Sequence, residues 1–309
     1  MVVDSLLTAA LPLFSSFFSL SSKELLKSIG PDSYTGYVLL GSAVLSYLYN
    51  KLTGIETKFN GFSIASGLAF GIATLMFEQG LRRTANPGLA NAMYRSQTAL
   101  TAVASVFLLG SSMSPIGMLG VFVTVLGAGL VALDSEEKKD VETKEGFETQ
   151  TPGSIVHKHD RKGAWIPLVL IAGVLLTVKD LTAVKSLANK AMKPSSYVVS
   201  QTLFGALIVL LYKVLTQGTL KPTMHKKGNE LEVALGMAAV SIDNFLWCAV
   251  LVYLMSVAKN PAYPKAVTML GIGLTSVISS YFLKGAKLDD KQWGGIVAIL
   301  AGVGMVILG

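Results

Sequence analysis

Apolar stretches of roughly 20 residues follow one another along the chain, separated by short polar punctuation. Ten of them can be delimited, at 4–29, 32–50, 60–83, 87–109, 115–133, 163–187, 195–215, 231–257, 261–283 and 291–308. Each is long enough to cross a hydrocarbon core of about 30 Å as a helix. Most connections are short and marked by Gly, Pro, Asn or Asp, as in "LTGIETKFNG", "LLGSSMSP" and "GAKLDDKQ", which suits packed antiparallel helices. The exception is the run from Asp134 to Gly163, polar and without period. It predicts a flexible linker over 134–162, between a first five-helix unit at 1–133 and a second at 163–309.

Composition agrees with the pattern. Of 309 residues, 51% are hydrophobic and only 15% charged, and the mean hydropathy is +0.56. A water-soluble enzyme of this length needs more polar surface, so an integral multi-pass membrane protein is expected, its home membrane open. The opening "MVVDSLLTAALPLFSSFFSLSS" has no basic leader and carries Asp4, so it reads as a first membrane helix and not as a cleaved signal peptide. One cysteine, Cys248, rules out a disulfide framework, and His157 and His159 in the polar loop make no metal centre. No cofactor, no metal and no catalytic cluster are expected, and an enzyme is excluded. The net charge of +7 comes mostly from loop lysines and is a topology signal, not a nucleic-acid footprint. Lys27, Arg82, Arg83, Lys213, Lys221, Lys226, Lys227, Lys284, Lys287 and Lys291 fall on one side, and Lys51, Lys58, Lys185, Lys190, Lys193 and Lys259 on the other. By the positive-inside rule both termini then lie away from the cytoplasm.

The two halves resemble each other. "NPGLANA" at 86–92 aligns with "NPAYPKA" at 260–266, and the same shift of 174 pairs Leu100, Thr101, Val103 and Ser105 with Leu274, Thr275, Val277 and Ser279. After one inserted residue, Phe107, Gly110, Gly120, Gly127 and Gly129 match Phe282, Gly285, Gly295, Gly302 and Gly304. "PDSY" at 31–34 matches "PSSY" at 194–197, and "KEL" at 23–25 matches "KDL" at 179–181. An odd number of helices per copy makes the second copy enter from the opposite face, and inverted repeats about a midplane site are a transporter signature. The expected fold is all-α: ten transmembrane helices as two inverted five-helix repeats around a central cavity.

The fourth–fifth and ninth–tenth helix pairs, "ANPGLANAMYRSQTALTAVASVFLLGSSMSPIGMLGVFVTVLGAGLVAL" and "KNPAYPKAVTMLGIGLTSVISSYFLKGAKLDDKQWGGIVAILAGVGMVIL", resemble the drug/metabolite transporter superfamily, nearest its EamA-type ten-helix members. The glutamate often found in that family's Gly-Glu turn is missing, with Gly110-Ser111 and Gly285-Ala286 in its place. The resemblance implies secondary transport of small metabolites by alternating access, and both termini in the cytoplasm, against the charge distribution.

Candidate site residues follow from polar groups inside the spans. Asn91, Arg95, Thr98, Ala102 and Ser105 share one face of the fourth helix; Lys265, Thr268, Ile272, Thr275 and Ser279 share one face of the ninth. Such stripes are expected to face the bundle interior, with Arg95 and Lys265 at equivalent places. Snorkelling to the interface is the plain alternative for Lys265. Substrate binding is assigned to Arg95, Lys265, Asn91, Thr98, Thr275, Trp247 and Asn244. Coupling or gating is assigned to Glu78, Asp243, Asp180, Lys179, Glu24 and Lys23. Each charge left isolated at a helix centre costs about 2.5–3.5 kcal/mol, so pairing is required. Similar depth suggests a Glu78–Arg95 pair, as a structural bridge or a gate, and Asp243 or Asp180 is expected to couple transport to protons. Asn86-Pro87 and Asn260-Pro261 read as helix starts, and Gly117, Gly120, Gly127, Gly129, Gly294, Gly295, Gly302 and Gly304 as packing positions. Balanced interior charge favours a zwitterion such as an amino acid as the small-molecule substrate. An antiporter of phosphorylated or nucleotide-linked sugars is the alternative, and a non-transporting membrane scaffold is the alternative of another class. Beyond the substrate and the lipid bilayer, a homodimer is left open.

Overall fold

The structure is a computed structural model that describes residues 2–84, 86–133, 165–187, 192–225, 229–258, 261–282 and 288–308. The expected linker at 134–162, the Asn260 cap and the Gly285-Ala286 turn lie outside the described residues. The chain is all-α. Its described helical segments are α1 (Val2–Leu25), α2 (Pro31–Leu52), α3 (Gly61–Arg83), α4 (Pro87–Arg95), α5 (Gln97–Leu109), α6 (Pro115–Leu133), α7 (Trp165–Leu187), α8 (Pro194–Gln217), α9 (Glu230–Val257), α10 (Ala262–Thr268), α11 (Leu270–Phe282) and α12 (Asp290–Leu308). They make ten helices, because α4–α5 and α10–α11 are each one expected span broken in the middle.

Local chemistry explains where these helices start and stop. Pro31, Pro87 and Pro194 occupy the first turn, where a missing N–H is no loss. The Asn86 side chain accepts from the Gly88 N–H at 2.8 Å, and Asn60 and Ser63 form a reciprocal capping box at the head of α3. Gly110 (φ 66°) and Gly218 (φ 67°) end α5 and α8 in the left-handed conformation that glycine adopts without a Cβ clash. The breaks have a similar origin. The Ser96 hydroxyl donates to the Met93 carbonyl at 2.7 Å, and Thr268 to the Lys265 carbonyl at 2.6 Å. Hydroxyls that reach back one turn compete with the helical ladder and bend it. The next turns are tightened, with Ala99 N–H bonding to Ser96 and Ile272 N–H to Met269.

The helices pack in two seams joined by a middle layer. The pair α6–α12 forms one seam, α3 lies against α7 and α8, α2 against α8 and α9, and α1 against α9 and α11, while α4 and α5 both touch α7. Glycines set the closest approaches. A Cβ at Gly71 would stand 2.7 Å from the Cα of Gly205, and one at Gly127 would stand 2.7 Å from the Gly295 carbonyl and 2.8 Å from the Ile299 nitrogen. Gly120 and Gly302 are equally crowded across the same seam. Gly129, Gly294 and Gly304 are not packing positions, for a Cβ there would meet nothing within 4 Å; they lie on faces turned away from the seam.

Polarity is distributed inside out. Leu52, Phe107, Leu215, Tyr281 and Phe282 are among the most exposed residues, whereas Glu78, Lys179, Asp180, Lys213 and Lys265 are at most 1% exposed. Helices α3, α7, α8 and α9 are long and apolar enough to cross a membrane. At one end of the bundle Ile29 bridges to Met224, the Gly30 N–H donates to the Thr223 carbonyl at 2.9 Å and the His225 N–H to Ser28 at 2.8 Å. Beneath this clasp the Lys213 ammonium meets Asp32 at 3.3 Å, Gln217 at 2.7 Å and Thr223 at 2.7 Å. Lys213 is therefore a buried ion-pair partner and not one of the surface charges that report orientation.

The crowding at Gly71 has a measurable consequence. Gly71→Val forces α3 and α8 apart and is expected to lower stability by about 1–3 kcal/mol, whereas Gly129→Ala, in open space within α6, is expected to raise it by up to about 1 kcal/mol. Thermal unfolding of the purified variants in detergent measures both.

Candidate functional site

The interior charges converge on one carboxylate. Asp180 projects from α7 and is fully buried. Its Oδ2 pairs with the Lys265 ammonium from α10 and lies 3.3 Å from the Thr101 hydroxyl of α5. Its Oδ1 is 3.4 Å from the ammonium of the neighbouring Lys179, which also sits 5.4 Å from the centre of the Phe70 ring. Lys265 is 1% exposed, so it does not snorkel; an ammonium one turn from a helix break turns inward because a buried counter-charge is within reach. Gln97 and Thr177 extend the cluster, their side chains meeting at 3.3 Å and Thr101 lying 2.9 Å from the Gln97 carbonyl oxygen.

Arg95, the last residue of α4, sits beside this cluster without its own carboxylate. The guanidinium donates to Asn91 at 3.3 Å, to Thr268 of α10 at 3.4 Å and to Ser15 of α1 at 3.2 Å, and lies 4.9 Å from the centre of the Trp247 ring. Three cations (Arg95, Lys179 and Lys265) therefore share one region with a single carboxylate. Two further buried acids, Asp243 and Glu78, form no ion pair with these cations. Asp243, 7% exposed, lies one turn before Trp247 on α9, about 6 Å along the axis. Glu78, on α3, is fully buried. Both acids lie within electrostatic reach of the Tyr34 hydroxyl. Asn244 donates to the Ser42 hydroxyl at 2.9 Å.

Several side-chain atoms here have no hydrogen-bond partner although they are buried: Asn91 Nδ2, Gln97 Nε2, Thr98 Oγ1, Thr275 Oγ1, Trp247 Nε1 and Asp243 Oδ2. Buried polar atoms in folded proteins are nearly always satisfied, because an unmet donor or acceptor costs about 1–3 kcal/mol. These atoms lie on α4, α5, α9 and α11.

Three expectations are corrected. Glu78 and Arg95 do not pair: what meets across the α3–α4 contact is the Phe77–Tyr94 ring stack at 4.3 Å, and Arg95 takes hydroxyl and amide partners instead. Lys23 and Glu24 do not mirror Lys179 and Asp180. Because α1 ends at Leu25, they fall in its last turn; Glu24 is exposed and pairs with Lys27 at 2.6 Å. Lys23 donates to the carbonyls of Leu81, Arg82 and Thr84, where the helix dipole of α3 attracts a cation. Finally, Arg95 and Lys265 both point inward but not at equivalent places, since Arg95 ends its helical segment while Lys265 stands one turn before the end of its own; the residue matching Lys265 is Asn91. Sequence reasoning missed Gln97, Thr177 and Tyr94. Thr177 was findable, lying three residues before Asp180 on one helical face.

No family model matches the chain, and no curated protein matches its sequence. Solved structures do resemble it. One of them, described only as the crystal structure of a protein, superposes with a TM-score of 0.62 over 100% of this chain and 97% of that chain, at 16% identity. A likeness at that identity concerns the fold alone.

The Asp180 cluster makes an unequal pair of predictions. Asp180→Asn leaves two ammonium groups buried without a counter-charge and is expected to cost about 3–5 kcal/mol. The double variant with Lys265→Met recovers only part of that loss, because one ammonium leaves while Lys179 stays buried without a counter-charge. Unfolding midpoints of the two single variants and the double variant, compared as a cycle, measure the coupling.

Proposed function

We propose that the chain is a secondary transporter whose ten helices cross the membrane as two inverted five-helix repeats and carry a small polar solute bearing both charges, such as an amino acid. The observation that carries this reading is the set of unpartnered buried polar atoms beside the Asp180 cluster. A scaffold has no use for unmet polar groups in an apolar bundle; a carrier needs groups that a solute can engage and then release. The inside-out polarity supports a lipid-facing exterior.

The packing supports the repeat. Exchanging α1 with α7, α2 with α8, α3 with α9, α4–α5 with α10–α11 and α6 with α12 turns the contact α3–α7 into α1–α9, α3–α8 into α2–α9, and α5–α7 into α1–α11, all of which occur. Both broken helices fall at matched places, and discontinuous helices at the middle of a membrane are where inverted-repeat carriers hold their solutes. In such a carrier the Arg95–Lys265 region receives the solute carboxylate, and Asp243 receives the ammonium about one helical turn away.

A second reading has its own support. Three cations around one carboxylate would also suit a phosphate, as in a phosphorylated or nucleotide-linked sugar. Ligand-dependent stabilisation separates the two: a solute at 100 times its Kd raises stability by about 2.7 kcal/mol. Amino acids are expected to stabilise the purified protein and phosphate esters not to. In proteoliposomes, Arg95→Ala is expected to reduce amino-acid uptake about ten- to hundredfold, the loss of about 1.5–3 kcal/mol for a hydrogen bond to a charged group. Stabilisation by phosphate esters alone reverses the assignment, and uptake of neither class overturns the transporter reading.

A further inference from the structure

The carboxyl of Glu78 is buried completely, and neither of its oxygens has a hydrogen-bond partner. Every other buried acid in the interior is differently placed. Asp180 is held by two lysines, Asp32 by Lys213 and Gln217, and Asp243 retains some exposure. The cations on the elements around Glu78 are engaged elsewhere. From α4, Arg95 is bound to Asn91, Thr268 and Ser15. From α7, Lys179 faces Asp180. From α1, Lys23 is turned to the carbonyls that end α3. Among the described residues, the further titratable groups that face this region are Tyr34 from α2, Tyr94 from α4, and Asp243 and Cys248 from α9.

Beside the Glu78 carboxyl stands the Ser22 hydroxyl of α1, itself 2.6 Å from the Tyr34 hydroxyl of α2. Tyr34 is half a turn from Asp32, where the cluster of Lys213, Gln217 and Thr223 reaches the end of the bundle. From Glu78 the polar groups thus run through the two hydroxyls of Ser22 and Tyr34, the second on the helix that also carries Asp32. Among the described residues the Ser22 hydroxyl is the one donor beside this carboxyl and no cation answers it, so a full negative charge there is poorly compensated, and the neutral acid is burdened less. Hydroxyls act as both donor and acceptor, which is what the passage of a proton requires.

We propose that Glu78 is a dedicated proton-binding site, separate from the Arg95–Asp180–Lys265 region, and that it couples proton movement to transport. The sequence pointed to Asp243 or Asp180 for that role; Asp180 is unsuited because Lys179, Lys265 and Thr101 already occupy its two oxygens. The reaction is a simple exchange: the carboxylate takes a proton delivered through Tyr34 and Ser22 from one face and releases it to water after the bundle reopens. This assignment rests on the transporter reading for its coupling, but not for the proton site itself.

Infrared difference spectroscopy on the reconstituted protein tests the site directly. At neutral pH the wild type is expected to show the carbonyl stretch of a protonated carboxylic acid, lost in Glu78→Gln, shifted in Glu78→Asp and retained in Asp243→Asn. Replacing choline chloride with sodium chloride is expected to leave the band unchanged; its disappearance with sodium would make Glu78 a sodium site and overturn the proton assignment. A band that is absent, or that survives in Glu78→Gln, also overturns it. Coupling is read in the same liposomes with a trapped pH dye, where a mixture of the standard amino acids is expected to drive internal acidification in the wild type and not in Glu78→Gln. If the band behaves as expected but neither amino acids nor phosphate esters enter wild-type liposomes, the transporter reading fails and the coupling with it.

Discussion

Two buried ammonium groups, Lys179 and Lys265, are held by the single carboxylate of Asp180, and the interior depends on that compensation. An ammonium removed from water is tolerated only beside an opposite charge. Lys265 also belongs to α10, a segment of seven residues too short to be stable by its own hydrogen bonding. The ion pair ties α10 to α7, and Thr101 ties α5 to the same carboxylate. One acid thus positions pieces of α5, α7 and α10 around a common centre.

Around that centre the scaffold is made by close backbone contact instead of bulky side chains. Gly71 against Gly205, and Gly120 and Gly127 against the glycine-rich face of α12, bring helices together at distances no larger residue allows. Without a hydrophobic driving force between helices in lipid, such van der Waals contact and the interior polar bonds are what hold a bundle together. Rigid seams on the outside leave the middle layer, including the two broken helices, to carry the polar groups. A break at Ser96 and another at Met269 place Arg95 of α4 and Thr268 of α10 in contact, which unbroken helices of the same sequence would not guarantee.

The cationic and acidic side chains inside are unevenly placed. Arg95, Lys179 and Lys265 gather at Asp180, while Asp243 lies toward Tyr34. Separation of this kind produces a field across the interior, stronger in a low-dielectric bundle than in water. A solute with its own two charges can align with that field, and this links the packing of the helices to the kind of cargo proposed for them.

Much of this was legible in the chain itself. Apolar runs of membrane length and proline, asparagine and glycine at their ends located the ten helices, because caps and hydrophobic length are local properties. The inward faces containing Asn91, Arg95 and Thr98, and Lys265, Thr268 and Thr275, were legible too, since helical period alone aligns them and all six are buried. Partners were not. Nothing local distinguishes Glu24, exposed beside Lys27, from Asp180, buried between two lysines, although both follow a lysine in matching motifs. The length of each helix beyond the motif and the neighbour it meets decide that. Depth along two helices placed Glu78 near Arg95, but their rotation brought Phe77 and Tyr94 together instead. Period determines which face a residue occupies; only packing determines what stands opposite, because the energy of a buried charge depends on atoms that are distant in the chain.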